Sequence, residues 1–174
     1  MERPHYREAL RRVGVMSALA EFDPHLAGTL PLGVDLPTSD LDILCHAVEP
    51  DRFADALWAA YSGETDFSLR QWIGEDRPVV AMFIAHGWPF QVFGQKMPVS
   101  EQNGWRHFLA ERRLLRLGGA TFRAAVMSER ARGAKTEPAF ASALKLKGDP
   151  YLAILDLERC DDTCLSDLLL RAGF

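Results

Sequence analysis

Gly28-Thr29-Leu30-Pro31-Leu32-Gly33-Val34-Asp35-Leu36-Pro37-Thr38-Ser39-Asp40-Leu41-Asp42-Ile43-Leu44-Cys45 is the stretch on which the fold turns. Its second half enters an apolar run that carries two carboxylates two positions apart. Strand side chains alternate between faces, so Asp40 and Asp42 share one face while Leu41, Ile43 and Cys45 pack on the other. Neighbouring acids repel, and taking them out of water is costly unless a cation offsets their charge. The residues alone therefore point to a divalent metal site at Asp40 and Asp42.

The first half of the stretch adds a second ligand. Glycines at 28 and 33 let a loop backbone approach a phosphate closely and present N–H groups to it. Thr29 and Ser39 can add hydroxyl donors. Magnesium favours oxygen ligands, usually one or two carboxylates completed by water and substrate phosphates. The combination suits displacement at phosphorus, with Mg²⁺ (or Mn²⁺) clamping the reacting oxygens.

Composition bounds the rest. A chain of 174 residues that is 48% hydrophobic is expected to form one globular domain, or one domain with a helical extension. Its formal charge of -4 lacks the dense basic field of a general nucleic-acid binder, which argues against a long nucleic-acid acceptor. A local basic pocket for phosphates stays open. No apolar run approaches a membrane span, and no signal-peptide pattern is present. Three cysteines, an odd number, do not form a disulfide framework. The expectation is a reduced, cytoplasmic protein without membrane partners.

Working outward, His5 to Phe22 reads as a helix, with Tyr6, Leu10, Val13 and Met16 near 3.6 spacing and a possible break at Gly14. Asp23-Pro24 stops it, and His25 to Ala27 forms a short strand. The segment from Gly28 to Ser39 is expected to be irregular. Glu49-Pro50-Asp51 starts a helix to Tyr61 that buries Phe53, Leu57 and either Trp58 or Tyr61. Strands follow at Phe67 to Ile73 and Val79 to Ala85. A tight turn at His86-Gly87 then leads into a strand through Pro89 to Gly94. From Ser100 the pattern is helical, with breaks at Gly118-Gly119 and at Lys147 to Pro150. The predicted division is an α/β core over residues 1–99 and a helical region over 100–174 packed on it.

The order Gly28-Thr29, Gly33, Ser39-Asp40, Asp42 resembles the signature of the nucleotidyltransferase superfamily of polymerase beta type, in residues and in spacing. Six such fixed positions recur by accident only about once in 10⁵ chains of this length. The resemblance extends over the whole chain to a bacterial domain-of-unknown-function family within that fold. It is carried there by Phe93-Gly94-Gln95, Gln102-Asn103, Arg106-His107, Lys135-Thr136-Glu137-Pro138 and Gly148-Asp149-Pro150-Tyr151. It implies an α+β fold: a small mixed sheet with helices, then a C-terminal helical region. It further implies a nucleoside triphosphate as substrate and transfer of a nucleotidyl group to a small-molecule or protein acceptor.

The superfamily usually places a third carboxylate on a neighbouring strand. The strand that fits here is Trp88 to Gln95, and the residue that aligns is Gln91, a neutral amide that cannot act as general base. Either the alignment is shifted, another acid such as Glu101 or Glu111 fills in, or transfer is impaired. Impaired transfer would leave a catalytically degenerate nucleotide-binding or regulatory protein. On the helices, Arg106, His107, Lys135 and Thr136 are candidates for the triphosphate. Each has a structural alternative, as an ion pair or a helix start. Gln102 and Asn103 are candidates for a base edge or for a helix-end role. Arg112, Arg113 and Arg116 read as a solvated face, and Cys160 and Cys164 as core packing.

Overall fold

Strand β2 (Leu41–His46) shows the alternation its sequence demands, with Leu41, Ile43 and Cys45 buried and Asp42, Leu44 and His46 half-buried. The computed structural model describes residues 3–73 and 76–174. These residues form two compact units. One comprises Met1–Pro31 and Ser39–Gln102, the other Leu32–Thr38 and Asn103–Phe174.

The first unit is built on a five-stranded sheet in the order β1-β2-β5-β4-β3. Strands β1 (His25–Ala27), β3 (Thr65–Gln71), β4 (Val79–Ala85) and β5 (Trp88–Gln95) flank β2 in that arrangement. Strand β2 runs parallel to β5, and all other pairs are antiparallel. The β4–β5 hairpin turns through His86 at φ 51° and Gly87 at φ 76°. Two successive positive φ values give the primed turn that matches strand twist. Strand β3 lies two residues before its predicted span. It is an edge strand exposed at both ends, so burial imposes no clear alternation from which to read its limits.

Helices α1 (Tyr6–Val13), α2 (Val15–Ala18) and α4 (Pro50–Tyr61) share one apolar core with the sheet. The predicted N-terminal helix is divided by Gly14, which adopts the left-handed conformation at φ 69°. Between β1 and β2 a single turn of helix, α3 (Thr29–Leu32), occupies part of the segment expected to be irregular. Pro31 is compatible with it, because a proline in the first turn lacks only an N–H that has no intrahelical partner. Of the two aromatic candidates in α4, Tyr61 is buried and Trp58 is exposed. Tyr61 stacks on Phe83, and Phe83 on Phe90, with ring centroids 4.6 and 5.0 Å apart.

The second unit holds helices α5 (Asn103–Ala131), α6 (Thr136–Ala143), α7 (Pro150–Asp156) and α8 (Asp162–Ala172). Gly119 breaks the helical geometry inside α5, at the predicted Gly118-Gly119 boundary. Phe122, Phe140, Leu114, Ile154 and Leu165 form its apolar interior. Arg113 and Arg116 both pair with Asp162, so part of the expected solvated face is an ion-pair cluster. Cys160 is half-buried and Cys164 exposed, which corrects the expectation that both pack in the core. Asp161 caps α8 by accepting from the Cys164 N–H at 2.8 Å, and this first turn faces water. No helix among the described residues is long and apolar enough to cross a membrane.

Gly94 shows how tightly β5 meets α4. A Cβ added there would stand 2.2 Å from Cε1 of Phe53, a fully buried ring. Gly94→Ala is expected to destabilise the protein by about 1–3 kcal/mol through overpacking. Phe53→Leu in the same chain should recover part of that loss in denaturant unfolding, whereas simple additivity of the two changes would show that the ring is not the obstacle.

Candidate functional site

Three segments of the first unit meet at Asp42. Strand pairing sets Ala27 of β1 opposite it on one side and Gln91 of β5 opposite it on the other. The row continues across the sheet to Met82 on β4 and Ser68 on β3. Gln91 Nε2 donates to Asp42 Oδ1 at 3.4 Å. Gly28, the residue after β1, completes the enclosure. It sits at φ 75°, and a Cβ there would lie 2.1 Å from Asp42 Oδ2. Any side chain at 28 would thus occupy the place of the carboxylate, while glycine also supplies the backbone conformation that L-residues avoid. Asp40 lies just before β2 and is half-buried like Asp42.

The loop hydroxyls are structural partners of each other. Thr29 Oγ1 donates to Ser39 Oγ at 3.2 Å, and both residues are buried. This contact ties the start of the loop to its end, ten residues later. Arg3 Nη2 donates to the Ser39 carbonyl at 3.4 Å. Between these ends lies Gly33, at φ 67°, in the segment that belongs to the helical unit. There Arg123 Nη1 donates to the Leu32 carbonyl and, at 3.0 Å, to the Gly33 carbonyl. Arg123 was not among the residues singled out from sequence. Ninety positions separate it from Gly33, and no local pattern marks it.

Gln102 is corrected. It is 1% exposed, and its Nε2 donates to the Cys45 and Met97 carbonyls at 2.9 Å each. That amide fastens the end of β2 and is closed to a base edge.

In the helical unit, the candidate phosphate ligands mostly have protein partners. Arg106 Nε pairs with Glu158 Oε2 at 2.6 Å. His107 is buried, with Nε2 2.9 Å from the Tyr151 carbonyl and Nδ1 3.5 Å from Glu137 Oε1. The carbonyl can only accept, so Nε2 carries the proton. Thr136 Oγ1 accepts from the buried Arg130 Nη1 at 2.9 Å. Lys135, the residue before α6, is exposed. Glu111 is 3% exposed. Burial, with the Glu137 charge beside it, pushes its carboxyl well above the usual range, and Arg130 opposes that shift. It is a buried acid of the helical interior, and the position in register with Asp42 is held by Gln91.

Chemically, the first unit offers the Asp42 carboxylate and the Gln91 amide side by side, with the Asp40 carboxylate two positions before Asp42 in the chain. No group of three His, Cys, Asp or Glu side chains placed to hold a metal occurs among the described residues. Two carboxylates nonetheless fit Mg²⁺, which commonly takes one or two from the protein and the remainder from water and phosphate. A soft-metal or zinc set would need His or Cys donors that this face does not supply together.

Residues 8–157 match the family described as Domain of unknown function (DUF4269). No curated protein matches the chain by sequence. Among solved structures the fold is similar to Cid1 poly(U) polymerase with MgGTP bound. The TM-score is 0.57 at 14% identity, covering 86% of this chain and 47% of that one. The same polymerase with Mg 3'-dATP bound gives 0.56 at 15% identity, covering 86% and 46%. A cytoplasmic RNA terminal U-transferase gives 0.53 at 14% identity, covering 86% and 44%. The chain spans just under half the length of these structures, and at such identities the likeness is one of fold. It establishes an α+β nucleotidyltransferase-like architecture with a mixed five-stranded sheet.

The contact between residue 28 and Asp42 generates a prediction that needs no assumed activity. Gly28→Ala is expected to displace the Asp42 carboxylate and to weaken Mn²⁺ binding, read by electron paramagnetic resonance, by about tenfold or more. Unchanged Mn²⁺ affinity in a folded Gly28→Ala protein would show that Asp42 is not held for a cation.

Proposed function

This chain belongs to the DUF4269 family, and from the site just described we propose that it binds a nucleoside triphosphate with Mg²⁺ or Mn²⁺ and transfers a nucleotidyl group. The observation that carries this reading is the Asp42 carboxylate enclosed by Gly28 and set in register beside Gln91. The similar structures support it, since their descriptions name MgGTP and Mg 3'-dATP as bound.

Asp40 and Asp42 would hold the ion. The chemistry it supplies when bound is polarisation of the phosphoryl oxygens and shielding of charge that builds during displacement. The loop from Gly28 to Ser39 would cradle the phosphates, with backbone N–H groups at its glycines. Thr29 and Ser39 pin that loop at its two ends through their mutual hydrogen bond. Lys135 is the exposed basic candidate of the helical unit, and Arg106, His107 and Thr136 would serve a phosphate only by leaving their present partners. The net charge of -4 supplies no field for a long polyanion, so the acceptor is read as a small molecule or a protein side chain.

One observation favours a second reading, a nucleotide-binding or regulatory protein without turnover. Gln91 directs its N–H₂ at Asp42 and carries no charge, so it cannot take a proton from an attacking hydroxyl.

A panel of labelled nucleoside triphosphates with Mg²⁺ or Mn²⁺ separates the two. Wild type is expected to bind at least one saturably. Asp40→Asn and Asp42→Asn should each weaken metal-dependent binding by about a hundredfold or more, since even the loss of outer-shell partners costs about 10–100-fold. Product formed by wild type establishes transfer. Product formed only by Gln91→Glu assigns the binding-only role. If wild type neither binds nor consumes any of the four common nucleotides, the proposal is wrong.

A further inference from the structure

The glycine segment that begins beside Asp42 passes into the helical unit. Residues 32–38 cluster with 103–174. The side chain that holds them is Arg123, whose Nη1 is shared between two consecutive carbonyls, Leu32 O and Gly33 O. The turn is shaped around that group. Gly33 has φ 67°, and a Cβ there would stand 3.1 Å from Arg123 Nη1.

Arg123 differs from four other arginines of its unit in what balances its charge. Arg106 pairs with Glu158, Arg113 and Arg116 with Asp162, and Arg132 with Glu129. Among the described residues, no carboxylate pairs with Arg123. Its guanidinium is half-buried, and its recorded partners are carbonyl dipoles alone. Guanidinium carries five N–H donors in a fixed plane, and Nη1 supplies all the bonds made here. A cation that pairs with no carboxylate among the described residues is thus fixed on the backbone of the loop read above as a phosphate cradle.

We infer that Arg123 is a positioning residue for that loop. By engaging two successive carbonyls it fixes the peptide planes from Leu32 to Val34, and hence the directions in which their N–H groups point. It also adds a positive charge that pairs with no carboxylate among the described residues, which favours an anion at the turn. Lysine replaces it only in part, because a flexible ammonium stem lacks the rigid guanidinium plane that presents Nη1 to both carbonyls. The phosphate part of this inference rests on the proposed function. The loop-holding part does not.

The test combines two readouts on the full chain. Hydrogen exchange of peptides covering residues 32–38 should accelerate about tenfold or more in Arg123→Ala, the loss expected when a charged donor is removed from a backbone clamp. Exchange across residues 103–117 should stay unchanged. Millimolar guanidinium chloride should restore protection where sodium chloride does not, and Arg123→Lys should restore it only in part. Gly33→Ala combined with Arg123→Ala should be clearly non-additive, since both act on one contact. Affinity for Mg-ATP and Mg-UTP should fall about tenfold in Arg123→Ala and recover with guanidinium. Unaltered exchange at 32–38 in Arg123→Ala would overturn the inference. A loosened loop with wild-type nucleotide affinity would overturn its phosphate part. If wild type binds no nucleotide, the proposed function falls, and the exchange data still decide what Arg123 does.

Discussion

The volume that a Cβ on residue 28 would fill is taken by the Asp42 carboxylate, and most of the first unit can be read as a consequence. Glycine permits the left-handed backbone at φ 75° and leaves the space open at once. For the carboxylate to sit there, β1 must pair antiparallel with β2 so that Ala27 lies opposite Asp42. On the other side β2 must run parallel to β5, which requires a crossover, and the chain supplies it through α4 and the two strands that follow. The contact between a carboxylate and a glycine backbone thus sits where three strands and the entry to the loop converge. Burial secures the arrangement from behind, because Leu41, Ile43 and Cys45 are fully enclosed on the opposite face. A one-residue slip of β2 would turn those side chains outward and the acids inward.

Gln91 then sets a tension between stability and chemistry. A carboxylate at 91 would face Asp42 directly across a strand pair, where like charges repel. The amide turns that repulsion into a hydrogen bond. The site is therefore comfortable without a cation, whereas a three-acid site depends on one. The same substitution removes the group most suited to accepting a proton.

Much of this was legible in the sequence because its causes are local. The period-2 alternation of Leu41 to Cys45 specified both faces of β2, and glycine and proline marked the breaks at Gly14, Gly119 and Pro150. The sequence put Gln91 on a strand neighbouring β2, and the structure supplies the register, with Gln91 opposite Asp42. What escaped was non-local. Gln102 is an ordinary polar residue until the fold brings the Cys45 and Met97 carbonyls to it. Arg123 reaches Gly33 across ninety positions. The exposed Cys164 was misjudged because i, i+4 spacing gives a shared face but not which way that face looks.

The helical unit sharpens the question of which cations are available to an anionic ligand. Arg106, Arg113, Arg116 and Arg132 are each neutralised by an acid of the same unit. His107 is occupied by the Tyr151 carbonyl on one nitrogen and faces Glu137 with the other. Arg130 is spent on Thr136 inside the unit, near the raised Glu111 carboxyl. Recruiting any of these for a phosphate means breaking a partly buried charged contact, and the stranded partner would carry much of the penalty. Lys135 and Arg123 carry no such penalty, the first because it is exposed, the second because it spends its donors on neutral carbonyls. Apart from Lys135, the motif residues that look most like phosphate ligands in sequence are thus the least free to act as such. Of the two positive charges that are free, Lys135 lies in a motif and Arg123 lies where no motif drew attention to it.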